Sequence, residues 1–163
     1  MSEKTFTQPT DGKEVRWHYN ENVEHEWQRL ELDAYHQLEW LQTMLLLRTH
    51  LPANGLVLDA GGGPGRYARE LCRAGHQVVL FDLAPGLLAK AQAVFADEPA
   101  EVRENLRQCV EGDIRDLSAF PTESFAATLC LGGPLSHIHD ADERRQAVVD
   151  LAGHILYVGR KES

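Results

Sequence analysis

Apolar residues recur at helical spacing through the first third of the chain. Val23, Trp27 and Leu30 are followed by Leu38, Leu41, Leu45 and Leu47, with Tyr35, Trp40 and Met44 adding bulk. This spacing predicts helix over residues 21–51, in one or two pieces, ended by Pro52-Ala53-Asn54-Gly55. The pattern then shortens. Leu56–Leu58, Gln77–Phe81, Leu106–Val110 and Ser124–Leu131 read as four buried strands, the third the weakest. Helical patterns lie between and after them. Arg66–Cys72 places Tyr67, Ala68, Leu71 and Cys72 on one face; the stretch from Pro85 to about Ala96 does so with Leu87, Leu88, Ala91 and Val94; Asp142 to about Leu156 does so with Ala147, Val148, Leu151 and Ile155. Pro85 suits the first turn of its helix, where no intrahelical N–H is needed. Strands alternating with helices predict an α/β domain with a mostly parallel sheet. Residues 1–18 are expected to be a loose N-terminal segment, 19–52 a helical cap, and 53–163 the main domain.

The chemistry concentrates after the first strand, in Val57-Leu-Asp-Ala-Gly-Gly-Gly-Pro-Gly-Arg66. Glycine takes φ > 0 and lets a ligand lie against the backbone. The helix that follows offers free N–H groups and a partial positive charge. Strand, glycine turn and helix together hold nucleotide-like ligands. Asp59 narrows the choice, because a carboxylate two residues before Gly61 repels a pyrophosphate and suits a cationic ligand. A phosphate-binding loop is excluded, since no Gly-Lys-Ser or Gly-Lys-Thr occurs. The competing reading is a purely structural glycine turn. Asp82 ends the second strand, where both carboxylate oxygens are placed to accept from the vicinal hydroxyls of a ribose.

The spacing Asp59-x-Gly61-x-Gly63-x-Gly65, with Asp82 and the Gly112-Asp113 strand end in order behind it, resembles class I S-adenosylmethionine-dependent methyltransferases over about Tyr19–Leu156. The resemblance implies a Rossmann-like three-layer αβα sandwich, with the first four strands in the order 3-2-1-4 and strands five to seven missing. It implies that the chain binds S-adenosyl-L-methionine and methylates a small-molecule acceptor. Asp59 would stand near the methionine ammonium, while Ala60, Gly61, Gly62, Gly63 and Gly65 pass under the ligand. Asp82 and Leu83 would hold the ribose, Asp113 and Ile114 the adenine, and Leu131 and Gly132 the methionine end. For Asp113 a turn-capping role competes. The family's N-terminal helices partly cover the cofactor, which would put His18, Tyr19 and Trp27 over the pocket. The sulfonium is already activated, so no fixed catalytic dyad is expected. If the acceptor must lose a proton, His137 is the first candidate base, with His139 and His18 behind it.

Composition restricts partners rather than chemistry. The 163 residues carry a formal charge of −9, so neither nucleic acid nor an anionic membrane is an expected partner. Cys72, Cys109 and Cys130 share no short spacing and read as free thiols of a cytoplasmic protein. No secretory signal is expected, because the first residues lack an apolar core. His137-Ile-His139-Asp140 invites a metal reading, but surface histidines in a polar loop are the preferred one. Two rivals to the methyltransferase reading remain. Gly63-x-Gly65-x-x-Ala68 and Tyr157-x-x-x-Lys161 match short patterns of nicotinamide-dependent short-chain oxidoreductases, though Asp59 speaks against a pyrophosphate. A non-catalytic partner subunit that keeps the fold is the other. With four strands, the fourth is an apolar sheet edge, so either the chain is the N-terminal portion of a longer methyltransferase, or a homodimer, a completing chain, or a makeshift strand at His154–Gly159 is expected to cover it.

Overall fold

A computed structural model describes residues 12–153. Tyr157, Lys161 and the stretch His154–Gly159 lie outside the described residues. Helix starts earlier than its periodicity suggested. α1 (Gly12–Glu21) falls largely within the segment expected to be loose, and its Val15 is buried. The rest of the N-terminal segment is broken twice: α2 (Val23–Gln28) follows Asn22 and runs into a 3₁₀ turn (Arg29–Glu31), and α3 (Ala34–His50) starts anew after Asp33. Asp33 is extended and caps the helix, its carboxylate accepting from the His36 N–H at 3.0 Å. The inward face of α3 differs from the expected one. Met44 and Leu47 are buried and Trp40 packs against the core, whereas Leu38, Leu41 and Leu45 face outward.

β1 (Leu56–Ala60), α4 (Arg66–Arg73), β2 (Gln77–Asp82) and α5 (Pro85–Ala96) follow as the patterning predicts. A short α6 (Ala100–Asn105), which the sequence reading missed, leads directly into β3 (Leu106–Glu111). β4 is only Ala127–Leu129. Its pairing with β1 covers Val57 to Asp59 and ends at Leu129, before Gly132 and Gly133 turn the chain with positive φ. A 3₁₀ turn (Pro134–His137) and α7 (Ala141–Gly153) complete the described chain. All pairings are parallel and the order is β3-β2-β1-β4.

Alternation along the strands divides the core in two. Val57, Val78 and Leu80 face α3, α4 and α5, beside Leu71, Ala91 and Phe95. Leu58, Val79 and Phe81 face the other way, beside Phe125, Ala147 and Leu151. Helices on both faces explain the near-continuous apolar runs of β1 and β2. Among the described residues no helix is long and apolar enough to cross a membrane.

Candidate active site

The chain leaves β1 toward β2 and β3, then crosses back to add β4 on the opposite side of β1. Parallel sheets bind ligands at such a reversal, outside the carboxyl ends of the strands. Asp59, Asp82, Asp113, Leu131 and the glycine loop all line one cleft there. The loop after β1 is held by the neighbouring strand, since Gly61 N–H donates to Phe81 O at 2.7 Å. Gly61 has φ +73°, and a Cβ there would stand 2.3 Å from Pro134. Gly62 lies against the Asp59 carboxylate, which a Cβ would meet at 2.5 Å. At Gly63 the nearest atom to a Cβ is 3.8 Å away, so this glycine opens toward the cleft.

Two carboxylates sit beneath this loop. Asp59 has no exposed surface, and neither of its oxygens has a hydrogen-bond partner. Burial, and then the charge of Asp82, push its carboxyl up to about 7; the Ala68 N–H offsets this in part from outside hydrogen-bonding distance or angle. Asp82 is better served. Its Oδ2 accepts from Gly63 N–H at 2.8 Å and its Oδ1 from Ala84 N–H at 2.9 Å. Burial still raises its carboxyl above the ordinary value, against these backbone N–H groups. Each carboxylate oxygen keeps a lone pair for a ligand hydroxyl.

Asp113 is committed to Arg115 while it lines the cleft. Its Oδ1 accepts from Arg115 N–H at 2.9 Å, and its Oδ2 from the guanidinium at 2.6 Å. Burial opposes ionisation there, but the Arg115 hydrogen bonds outweigh it and hold the carboxyl below its usual range. The turn-capping and cleft-lining readings of this residue therefore coexist. Leu83, Ile114, Leu131, Gly132 and His137 also line the cleft. Ala60 and Gly65 do not. Ala60 belongs to the core beside Leu58, and a Cβ on Gly65 would meet Ala91 at 3.1 Å, so Gly65 serves helix packing.

The N-terminal helices roof the cleft. Tyr19 lines it and its hydroxyl lies 2.8 Å from His137 Nε2. Burial, with Glu26 and Asp82 nearby, pushes the Tyr19 hydroxyl up to about 12, so it keeps its proton. His18 stands behind Tyr19, edge to face at 5.3 Å, and Trp27 packs on Arg66; neither is on the cleft wall. His139 is exposed and off the wall as well. Four charged residues of the wall escaped the sequence reading: Glu26, Arg29, Arg66 and Arg115. Arg29 pairs with Glu39 at 3.3 Å and reaches the Gly132 turn, where a Cβ would stand 3.1 Å from its guanidinium. Arg66 donates to Trp27 O at 2.6 Å, pairs with Glu31, and lies over the rings of Trp27 and Trp40 at 4.8 and 5.6 Å. Arg66 follows the glycine motif directly, so its position was the available signal; what it clasps depends on the roof. Among the described residues no three His, Cys, Asp or Glu side chains gather as metal ligands.

Residues 57–155 match the family described as "Methyltransferase domain". The chain belongs to this family. The methyltransferase domain is 30% identical over 133 residues to a glycine/sarcosine N-methyltransferase of Parasynechococcus marenigrum, covering 81% of this chain and 45% of that protein. It is 33% identical over 110 residues to a ubiquinone biosynthesis O-methyltransferase of Xanthomonas axonopodis pv. citri, covering 68% of this chain and 42% of that one. The chain thus spans less than half the length of these relatives. Among solved structures it is similar to a TehB-like SAM-dependent methyltransferase from Corynebacterium glutamicum, with TM-score 0.62 and 24% identity over 85% of this chain and 67% of that one. The glycopeptide N-methyltransferase MtfA complexed with S-adenosyl-L-methionine gives 0.61 at 24% identity, over 70% and 45% of the two chains.

Proposed function

We propose that the cleft binds S-adenosyl-L-methionine and that the methyltransferase domain directs its methyl group to a small-molecule acceptor. The observation that carries this reading is Asp59: a fully buried carboxylate without a hydrogen-bond partner, at the wall of a cleft, beneath a glycine loop. Such a group is costly to keep ionised unless a cation comes to it. A ligand with an ammonium and a sulfonium supplies that charge, whereas a dinucleotide pyrophosphate would add to the repulsion between Asp59 and Asp82. The residues present therefore fit this cofactor.

Asp82, preset by two backbone N–H groups, accepts from the ribose hydroxyls. Ile114 and Leu83 give the adenine an apolar seat, and Asp113 accepts from its amino group. Gly63 and Gly132 admit the methionine end against the backbone. The bound sulfonium supplies an activated methyl group. The protein's part is to align the acceptor and exclude water, and the roof of Tyr19, Glu26, Arg29 and Leu30 serves both ends. Where an acceptor must lose a proton, His137 takes it at Nε2, the atom now beside the Tyr19 hydroxyl. The acceptors named for the relatives, an amino acid and a ubiquinone precursor, are small molecules, and this domain's acceptor is read as one too. A cytoplasmic location accords with three cysteines, none of them bonded to another.

Calorimetric titration with S-adenosyl-L-methionine tests the reading. Asp82→Ala should weaken binding by about 1.5–3 kcal/mol, the range for hydrogen bonds to charged groups. Unchanged affinity in a folded variant would remove Asp82 from the site, and absence of binding by the parent protein would remove the cofactor.

A further inference from the structure

His137 closes the short 3₁₀ turn Pro134–His137, directly after two glycines of positive φ. Ile138, the next residue, is buried and anchors the backbone there. The imidazole stands at the cleft wall, half-buried. Tyr19 faces it from the roof, 118 positions earlier in the chain, with its hydroxyl 2.8 Å from Nε2 and the two rings edge to face at 5.5 Å. Tyr19 is steadied in turn by its neighbours. Asn20 Oδ1 accepts from Gly86 N–H at 2.7 Å, and Asn22 Nδ2 donates to His18 O at 2.7 Å.

We propose that Tyr19 is the positioning residue of His137: its hydroxyl donates to Nε2 and so holds the imidazole in the tautomer with the proton on Nδ1 and a lone pair on Nε2. This rests on the functional reading above, in which Nε2 receives the proton of an acceptor. Hydrogen-bond accounting gives the direction. Among the described residues the Tyr19 hydroxyl has one hydrogen-bonding partner, Nε2. A neutral imidazole carries a proton on one nitrogen and a lone pair on the other. With the proton on Nε2, that nitrogen would donate to the phenol oxygen, and the O–H of a half-buried tyrosine would lack an acceptor among the described residues, which is costly. With the proton on Nδ1, the O–H is satisfied. The hydroxyl has a proton to give, since burial, with Glu26 and Asp82 nearby, pushes it up to about 12. The bond that one ring nitrogen makes sets which of the two is protonated. An acceptor that hands its proton to Nε2 takes the place of the tyrosine hydroxyl at the same lone pair. The base is thus kept in its receptive form before the acceptor arrives.

Nitrogen-15 NMR of the full chain, labelled at the histidine rings and free of ligand, tests this at about pH 8, where an ordinary imidazole is neutral. His137→Gln identifies the signals. The parent should show Nδ1 protonated, and Nε2 bare but shifted upfield as a hydrogen-bond acceptor is. Tyr19→Phe removes one oxygen and should move the tautomer ratio toward Nε2–H about fivefold, the worth of one neutral hydrogen bond. A parent with a protonated Nε2, or with a bare Nε2 at the position of a free lone pair, overturns the proposal even if Tyr19→Phe does not fold. So does a ratio that Tyr19→Phe leaves unchanged, which would hand the positioning to another group. Neither cofactor nor acceptor is present, so these outcomes are separate from the calorimetric test: a chain that fails to bind S-adenosyl-L-methionine would remove the base's task and leave its tautomer as described.

Discussion

Burial of Asp59 has a measurable consequence before any ligand is added. Its carboxyl rises from an ordinary 3.8 to about 7. Three pH units correspond to about 4 kcal/mol between the two protonation states. Because the folded value lies above the unfolded one, the fold favours the protonated acid. The stability due to this group is fully present below about pH 4 and is lost as pH rises through 7. Between those values the slope is up to about 1.4 kcal/mol per pH unit, and above 7 it vanishes. Asp82 shifts in the same direction, so the parent alone cannot isolate Asp59. Asp59→Asn can, because the carboxamide does not titrate. Urea denaturation of both proteins at pH 5, 6, 7 and 8 should show the parent losing stability relative to the variant, with most of the loss before pH 7. Adding S-adenosyl-L-methionine should reverse the loss in the parent alone. A bound cation favours the ionised acid, so affinity should climb with pH and binding should release protons below about pH 7. Parallel stability curves for parent and variant across this range would refute the reasoning.

Two further perturbations separate ligand contacts from architecture. Both Gly63 (φ +58°) and Gly61 (φ +73°) would strain a valine backbone, but Gly61→Val should cost more stability because its side chain also runs into Pro134, while Gly63→Val should weaken cofactor binding at least about tenfold; equal thermal shifts for the two would contradict this placement. Arg66→Ala should cost about 2 kcal/mol in denaturant unfolding, through loss of its bonds to Trp27 O and Glu31 and its contact with two indole rings, and lysine should restore little of it.

The sheet was legible in the sequence because β1 and β2 are buried on both faces and bounded by glycine and acid. Asp82 was legible for the same reason: a carboxylate closing an apolar strand stands at the strand's carboxyl end. The N-terminal roof was harder. α3 is apolar on nearly all sides, so its periodicity could not show that Met44 and Leu47 turn inward while Leu41 and Leu45 turn out. The breaks at Asn22 and Asp33 depend on how α1, α2 and α3 bend over the sheet. Arg29 and Glu26 reach the cleft only through that bend. The absence of Gly65 and Ala60 from the cleft wall was equally hidden, because a motif records spacing and not which glycine faces a helix. β4 was read as eight residues because its apolar run is long; its pairing ends after three.

The contacts of helix α1 include fastenings to three different elements. Arg16 pairs with Glu111 at 2.6 Å, Asn20 Oδ1 accepts from Gly86 N–H at 2.7 Å, and Tyr19 meets His137. Val15 is its one fully buried residue, and Tyr19 is half-buried over the cleft. Its detachment therefore sacrifices polar contacts and the packing of Val15 and Tyr19, less than unfolding the sheet. A molecule seated beneath it should leave more readily when such fastenings open. Salt, which screens the exposed Arg16–Glu111 pair, should therefore loosen α1 more than it loosens the sheet.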